Sequence, residues 1–288
     1  MRYKEVDAKH ILTRSSLPDA DYVINPYVGC EFGCSYCYAS FMGRTVGESI
    51  DAWGSYVYVK RNAVELLESD LAALKDRKAT ILISSVTDPY QGAEARYRLT
   101  RGILEVLAAD GYPGEVGILT KSSLVARDID IIKRLPRPDV GMTITTTDDE
   151  LGRFLEVRAS ATGARLDALK RLHDAGLRPY AFVGPLLPHF RHRPELLDEL
   201  LGRIAGSGVR EVYVEQINLK PYIRGRLWER IKMERPEMLA MYEEAGGEAH
   251  RREMDAMVGR LLEKHSLRLR LGEVLYHPEW MNRRRDTV

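Results

Sequence analysis

The three cysteines of this 288-residue chain, Cys30, Cys34 and Cys37, all lie on one segment of eight residues. With its neighbours the segment reads GCEFGCSYCYA, so any fold of the chain must present three thiols on one tight loop. Gly29 and Gly33 allow the backbone of such a loop to wrap closely around a bound group. Three thiolates can hold three irons of a [4Fe-4S] cluster and leave the fourth iron open for another molecule.

Two other uses of clustered cysteines fit the sequence less well. Disulfide pairing leaves one thiol over, and no secretory signal precedes the segment. Structural zinc needs four protein ligands, so a histidine such as His10 or His173 would have to complete the set. The paired Cys-x2-Cys spacing of zinc sites is missing. A cluster is therefore preferred, and zinc stays the alternative.

Bulk properties limit the classes of partner. The formal net charge is +1, which gives no strong attraction to nucleic acid or to a membrane surface. No apolar run reaches the ~18 residues that span a bilayer. The opening segment MRYKEVDAKHILTR lacks the apolar core of a signal peptide. We therefore expect a cytoplasmic protein without membrane association.

Short apolar segments alternate with longer amphipathic ones over most of the chain. Strands are predicted at 22–28, 80–86, 116–120, 140–145, 179–184 and 211–217. Helices are predicted between them at 63–74, 99–108, 126–134, 165–175 and 195–205. Leu166, Leu169 and Leu172 illustrate the helical spacing of apolar residues in one of these segments.

This alternation predicts an α/β fold with a parallel sheet and right-handed crossovers. Six units would make a partial TIM barrel, (β/α)6, whose chemistry gathers at the carboxyl ends of the strands. We expect residues 1–220 to form this core with its lead-in. Residues 221–288 would form a helix-rich extension that caps the barrel mouth, with a last strand at 267–276.

Several sequence blocks resemble one known family. The motif NPYVGC, which begins at Asn25, and the cysteine loop are similar to the radical SAM (S-adenosylmethionine) superfamily, in the branch related to spore photoproduct lyase. Blocks at three predicted strand ends continue the resemblance: SSVTDPYQ from Ser84, LTKS from Leu119 and TITT from Thr143. Further matching positions are Glu94, Glu156, Arg158, Arg165, Glu215 and Asn218. The resemblance covers residues 20–220.

The resemblance implies two cofactors and a reaction class. Cys30, Cys34 and Cys37 would hold a [4Fe-4S] cluster, and S-adenosyl-L-methionine would bind the open iron. The reduced cluster would cleave this cofactor to a 5′-deoxyadenosyl radical, which abstracts hydrogen from an unidentified substrate. A one-electron reductant of the flavodoxin or ferredoxin type is the implied partner. The alternatives are a photoproduct lyase-like DNA repair enzyme and a non-catalytic iron–sulfur protein that transfers electrons or senses redox state.

The resemblance also suggests residues that bind SAM. Tyr36 would pack near its adenine, and Ser84 and Ser85 would meet its amino group or ribose. Lys121 ends a short apolar strand, where a lysine needs an anion nearby, and the implied anion is the SAM carboxylate. Capping of a strand end and a solvated lysine are the structural alternatives for these residues.

The fourth predicted strand contributes two more candidates. Thr143 and Thr145 alternate with Ile144, so both side chains point to one face of the strand and would contact the ribose or carboxylate of SAM. Arg158 is a candidate SAM contact as well. Together with Glu156 and Arg165 it is also expected to form a charge network that positions the following helix.

Two residues are candidates for the chemical step itself. Tyr38, next to the third cysteine, could relay a hydrogen atom. Ser85 lies in the region where true spore photoproduct lyases carry an additional cysteine as hydrogen donor, and this sequence has no fourth cysteine. Thymine-dimer repair is therefore disfavoured. Nucleic acid is a possible but not favoured substrate, suggested by the basic stretch 220–230, which as a rule is a solvated helix face.

Overall fold

The structure is a computed structural model, and it describes residues 1–17 and 19–277. Its strands are β1 (Arg2–Val6), β2 (Leu12–Arg14), β3 (Tyr22–Ile24), β4 (Tyr27–Val28), β5 (Tyr56–Lys60), β6 (Ile81–Ile83), β7 (Val116–Thr120), β8 (Pro138–Thr143), β9 (Tyr180–Leu186), β10 (Glu211–Gln216) and β11 (Arg268–Leu269).

The α-helices are α1 (Ala63–Ala73), α2 (Gly92–Tyr97), α3 (Leu99–Ala109), α4 (Ile129–Ile132), α5 (Asp149–Leu155), α6 (Thr162–Asp174), α7 (Pro194–Gly206), α8 (Pro221–Glu234), α9 (Leu239–Glu243) and α10 (Glu248–Lys264). Short 3-10 helices lie at Tyr38–Val46, Ile50–Ala52, Ser123–Asp128, Pro188–Arg191, Pro236–Met238 and Glu244–Gly246.

Six parallel strands form the centre of the molecule. They lie side by side in the order β3, β6, β7, β8, β9 and β10, and each neighbouring pair is parallel. Helices connect successive strands, as a parallel sheet requires. The antiparallel β2 lies along one edge and the parallel β11 along the other, so the described sheet does not close on itself. The predicted α/β fold, a partial (β/α)6 barrel, is confirmed.

The first predicted strand differs from the structure in an important way. Residues 22–28 are split into β3, in the barrel sheet, and β4, which pairs antiparallel with β5 in a separate three-stranded sheet. Pro26 lies between the two segments and has no N–H to donate to a neighbouring strand. The cysteine loop therefore leaves from β4, to one side of the barrel sheet.

Two other segments also depart from the prediction. The helix expected at 126–134 begins as a 3-10 helix and contains only four α-helical residues, Ile129–Ile132. The strand expected at 267–276 is reduced to Arg268–Leu269 and one isolated bridge between Glu215 and Leu275. Gly272, with φ of 73°, turns the backbone between these two pairings.

The apolar faces that the sequence predicts are buried in one core. On α6, Leu169 and Leu172 are fully buried, and Leu166 is nearly so. On β6, Ile81 and Ile83 share one face of the strand and are inaccessible, while Leu82 on the other face is partly buried. The extension folds onto this core, with α10 beside α7. Its boundary at residue 220 stays a prediction.

Among the described residues, no helix is both long and apolar enough to cross a membrane.

Removal of the Leu169 side chain tests the core packing. Leu169→Ala should lower the free energy of unfolding by about 2–5 kcal/mol, because it removes a buried side chain from a close-packed interior. The control, Leu271→Ala, alters a leucine that is 48% exposed and should change it by less than about 0.5 kcal/mol. Anaerobic denaturant titrations measure both. Equal effects would contradict the assigned core.

Candidate functional site

The cysteine loop runs from the end of β4 to the 3-10 helix at Tyr38–Val46. Cys30 and Cys34 are buried, and Cys37 is partly exposed. Gly29 precedes the loop with φ of 91°, and a Cβ at this position would lie 2.4 Å from the main-chain oxygen of Tyr56. Only glycine allows so close an approach to β5, so Gly29 sets the position of the loop.

The block that follows β6 braces this loop. The Gln91 side chain accepts a hydrogen bond from the Glu31 N–H at 2.9 Å and donates to the Gly29 carbonyl at 3.3 Å. Thr87 donates to the same carbonyl at 2.6 Å. The Glu31 carboxylate in turn accepts from the Ala93 N–H at the start of α2. These side chains hold the backbone of the cysteine loop.

The three cysteine thiols fit a [4Fe-4S] cluster in which each thiolate binds a different iron. Burial raises the pKa of the Cys34 thiol to about 12 and also raises that of the Cys30 thiol, so metal must displace the protons when it binds. Among residues 1–17 and 19–277, no three cysteine, histidine or acidic side chains converge on one point. In a [4Fe-4S] cluster each cysteine binds a different iron, so three spaced thiols on one loop suit it.

Ser84 and Ser85 lie where β6 ends, next to the turn at Asn25. The Asn25 side-chain oxygen accepts from the N–H groups of Ser85 (3.0 Å) and Val86 (3.2 Å), which fixes the turn. Ser84 adopts φ of 67°, which is unusual for a residue with a side chain. Its hydroxyl is buried and has no hydrogen-bond partner among the described residues. This hydroxyl is therefore available to hydrogen-bond a bound ligand.

A buried carboxylate joins several of the candidates. Glu156 forms an ion pair with Arg165, and their side chains are 1% and 3% exposed. Thr145 donates to the same carboxylate at 2.6 Å, and the Tyr36 hydroxyl donates to it as well. Tyr36 is thus held by its hydroxyl. Burial opposes the charge on Glu156, but Arg165 and Lys121 outweigh it and lower the pKa of the carboxyl.

Lys121 lies at the end of β7 beside this network. Its N–H donates to the Asp88 carboxylate at 2.7 Å, and its ammonium lies 5.8 Å from the centre of the Tyr36 ring. Burial opposes the charge on Lys121, but Cys34 (as thiolate), Glu156 and Asp88 outweigh it and raise the pKa of the ammonium. Lys121 therefore carries a positive charge next to the cysteine loop, as an anion-binding lysine must.

Thr143 and Arg158 have different surroundings. Thr143 is buried at the end of β8, and its carbonyl accepts from Arg165 at 3.1 Å. The Arg158 guanidinium donates to the main-chain oxygens of Gly54 (2.9 Å) and Glu31 (3.4 Å). Expecting Arg158 in the charge network with Glu156 was therefore wrong, because its side chain turns toward the cysteine loop. Its contact with SAM stays a prediction.

The two candidates for the chemical step contact each other. The Tyr38 hydroxyl donates to the main-chain oxygen of Ser85, and the Ser85 hydroxyl accepts from the Asn25 side chain at 3.4 Å. Tyr38 remains 43% exposed. The structure thus brings Tyr38, Ser85 and Ser84 together at the end of β6, beside the third cysteine.

Only part of the basic stretch 220–230 is the solvated helix face that its composition suggests, because other side chains of it face the protein. It forms the first turns of α8, where Trp228 is buried and Arg226 is half-buried. Tyr222 and Arg226 donate hydrogen bonds to the cysteine loop. Sequence reasoning missed this role; the available signal was the spacing of four residues between them, which places two side chains on one helix face.

A family model described as the radical SAM superfamily matches residues 24–214. An uncharacterized protein of Methanocaldococcus jannaschii is 38% identical over 184 residues, which are 64% of this chain and 67% of that protein. An uncharacterized protein of Mycobacterium tuberculosis is 34% identical over 230 residues, which are 77% of this chain and 66% of that protein. The chain spans about two thirds of the length of these curated relatives.

Solved structures share the fold. A spore photoproduct lyase complexed with dinucleoside spore photoproduct has a TM-score of 0.70 at 17% identity, covering 93% of this chain and 81% of that one. A mutant of spore photoproduct lyase with bound AdoMet and dinucleoside spore photoproduct has a TM-score of 0.67 at 16% identity, with the same coverage.

The close approach at Gly29 can be tested with a matched pair of glycines. Gly29→Ala should reduce the iron bound per chain after anaerobic reconstitution, because the added Cβ would push the loop away from β5. Gly47→Ala is the control: its φ of 77° carries a similar strain, but nothing lies within 4 Å of its Cβ position. Equal iron contents in the two variants would contradict this role of Gly29.

The buried ion pair makes a second prediction. Glu156→Gln should lower the free energy of unfolding by about 3–5 kcal/mol, because Arg165 would stay buried without its counter-ion. Since the folded pKa is lowered, the carboxylate stabilises the fold above its ordinary pKa of 4.5 and this contribution is lost in acid. In denaturant titrations, the difference in the free energy of unfolding between the wild type and the variant should therefore disappear as the pH falls below 4.5.

Glu150→Gln is the matched control for that experiment. Glu150 lies on α5 and pairs with Arg235, but its side chain is 72% exposed. Its loss should cost no more than about 1 kcal/mol. A Glu156→Gln effect as small as this, or one that persists in acid, would refute the assigned network.

Proposed function

The chain belongs to the radical SAM superfamily, and on this premise we propose which of its residues hold the cofactors and what they do in the reaction. Like its family, it uses a [4Fe-4S] cluster and S-adenosylmethionine and is an enzyme of radical chemistry. The observation that carries the proposal is the placement of three cysteines on one braced loop beside the positive charge of Lys121.

In this proposal Cys30, Cys34 and Cys37 bind three irons of the cluster. The loop is held from one side by Gln91 and Thr87, so the positions of the thiols are set before iron binds. When bound, the two cofactors supply a 5′-deoxyadenosyl radical that removes a hydrogen atom from the substrate. Every other task falls to the chain: binding, orientation and exclusion of water.

SAM binding is assigned to the carboxyl ends of the strands. The Lys121 ammonium supplies the charge that a carboxylate needs, and the unpartnered Ser84 hydroxyl supplies a hydrogen bond. Thr143, the last residue of β8, and Thr145, two residues later, lie on the same face of this extended segment. Tyr36 presents its ring near Lys121 while the Glu156 carboxylate holds its hydroxyl. Arg158 acts through the backbone of the cysteine loop.

Tyr38 and Ser85 are proposed to act in hydrogen transfer. The contact between the Tyr38 hydroxyl and the Ser85 carbonyl holds the phenol at the edge of the site, next to the third cysteine. A half-exposed phenol at this place can return a hydrogen atom to a product radical; the phenoxyl radical left on Tyr38 then regains one electron from the external reductant and one proton from solvent. Ser85 orients Tyr38 through its backbone and presents its own hydroxyl to the same space.

The substrate is proposed to differ from that of the solved structural neighbours. Those structures contain dinucleoside spore photoproduct. This sequence has three cysteines, and the cluster takes all of them, so it has no further thiol to act as a hydrogen donor. Arg226 and Tyr222 of the basic stretch donate hydrogen bonds to the cysteine loop, so they do not contribute to a surface that could bind nucleic acid. A substrate other than a thymine dimer, and a one-electron reductant of the flavodoxin or ferredoxin type, follow from these points.

Turnover of SAM tests the proposal directly. Anaerobically reconstituted protein should form 5′-deoxyadenosine from SAM when dithionite is added, as measured by chromatography. Cys34→Ala should abolish this product because one iron of the cluster loses its thiolate ligand. Ser69→Ala, on the outer helix α1, serves as the control and should keep the wild-type rate. Product formation in the Cys34→Ala variant would refute the ligand assignment.

The same experiment separates the alternatives. A reconstituted protein that shows the visible spectrum of a cluster but forms no 5′-deoxyadenosine would favour an electron-transfer or redox-sensing protein. Zinc without iron in the anaerobically purified protein would favour a zinc-stabilised binding protein.

A further inference from the structure

Two side chains of helix α8 donate hydrogen bonds to the cysteine loop. Arg226 donates to the Cys34 carbonyl at 2.6 Å and to the Ser35 carbonyl at 3.0 and 3.2 Å. Tyr222 donates to the Tyr38 carbonyl at 2.8 Å. The three carbonyls lie on both sides of the third cysteine, Cys37. Because Tyr222 and Arg226 are four residues apart, a single face of the helix makes all of these contacts.

The same stretch of loop is held from the opposite direction by the core. The Ser35 N–H donates to the carbonyl of Leu155, at the end of α5, at 2.9 Å. Within the loop itself, the bond from the Cys37 N–H to the Cys34 carbonyl is 3.1 Å long. The main chain between the second and third cysteines is therefore held from outside by Leu155 and Arg226, in addition to the side-chain bond from Tyr36 to Glu156.

Arg226 also places a charge beside the thiols. A guanidinium stays protonated in proteins. The Nη1 of Arg226 is buried and has no hydrogen-bond partner among the described residues. A half-buried cation with an unused donor is costly unless negative charge arrives next to it, and iron-bound thiolates supply that charge.

We propose that α8 is part of the cofactor site: Tyr222 and Arg226 clamp the cysteine loop, and Arg226 supplies positive charge that favours the reduced cluster. This inference rests on the proposed function, since it takes Cys34 and Cys37 as cluster ligands. It extends the site beyond residues 24–214, which carry the family match, into the C-terminal extension. Tyr222 and Arg226 are positioning residues, because they touch the loop that holds the ligands.

Two properties of the iron-loaded protein test the clamp. Arg226→Gln should release iron to an added chelator about ten-fold faster than the wild type, because hydrogen bonds from a charged donor are lost. It should also lower the midpoint potential of the cluster in an anaerobic redox titration. Reduction adds a negative charge, and the variant lacks the positive charge that stabilises it.

Conservative variants separate geometry from charge. Arg226→Lys keeps the charge but loses the planar contact with two carbonyls, so iron release should quicken while the midpoint potential stays near that of the wild type. Tyr222→Phe removes one hydrogen bond and no charge, so it should quicken iron release alone. Arg224→Gln, on the exposed face of α8, removes the same charge at a distance and should leave both properties close to wild-type values.

The outcomes are decisive in each case. If Arg226→Gln matches Arg224→Gln in both iron release and potential, the clamp is refuted while the proposed function stands. If Arg226→Gln does not fold, wild-type iron release in both Arg226→Lys and Tyr222→Phe refutes the clamp. Failure of the wild-type protein to bind a cluster or to form 5′-deoxyadenosine would instead refute the proposed function.

Discussion

The position of the cysteine loop is the constraint on which the rest of the site depends. The loop has little regular structure, so its neighbours supply most of its hydrogen bonds. Gln91 and Thr87 bind the carbonyl before the first cysteine, Arg158 binds the carbonyl after it, and Arg226 binds the segment between the second and third. A loop held this way presents its thiols in one arrangement, which lowers the entropy lost when a cluster binds.

Charge is distributed around this loop in an ordered manner. Lys121 and Arg165 lie on the side of the barrel strands, where Glu156 balances them, and Arg226 lies on the side of the extension. A cluster with three thiolates is anionic, and so is the carboxylate of SAM, so cations on both sides are favourable for binding. Glu156 prevents excess positive charge by pairing with Arg165, and it orients Tyr36 and Thr145 at the same time.

Much of the fold was predictable because the spacing of apolar residues in its strands and helices is regular. Six predicted strands are present, and β7 has the predicted bounds, since a buried parallel strand reads as a continuous apolar run. The break at Pro26 was missed although the proline itself signals it, whereas the short length of α4 depends on which neighbours the backbone meets. The cluster cysteines and Lys121 were identifiable from motif and strand position. Arg226 was not, because its partners lie about 190 positions earlier in the chain.

The sequence by itself determined the chemistry available to this protein: three thiols on one loop, a strand–helix alternation that builds a parallel sheet, and the family of which these are typical. Tertiary structure alone decided which charges meet the loop. Arg158 and Arg226 both donate hydrogen bonds to carbonyls of the cysteine loop, and neither contact could be read from the sequence. Local propensity describes neighbours along the chain, whereas a guanidinium and a carbonyl far apart in sequence meet only after the core has formed and brought the extension against the barrel.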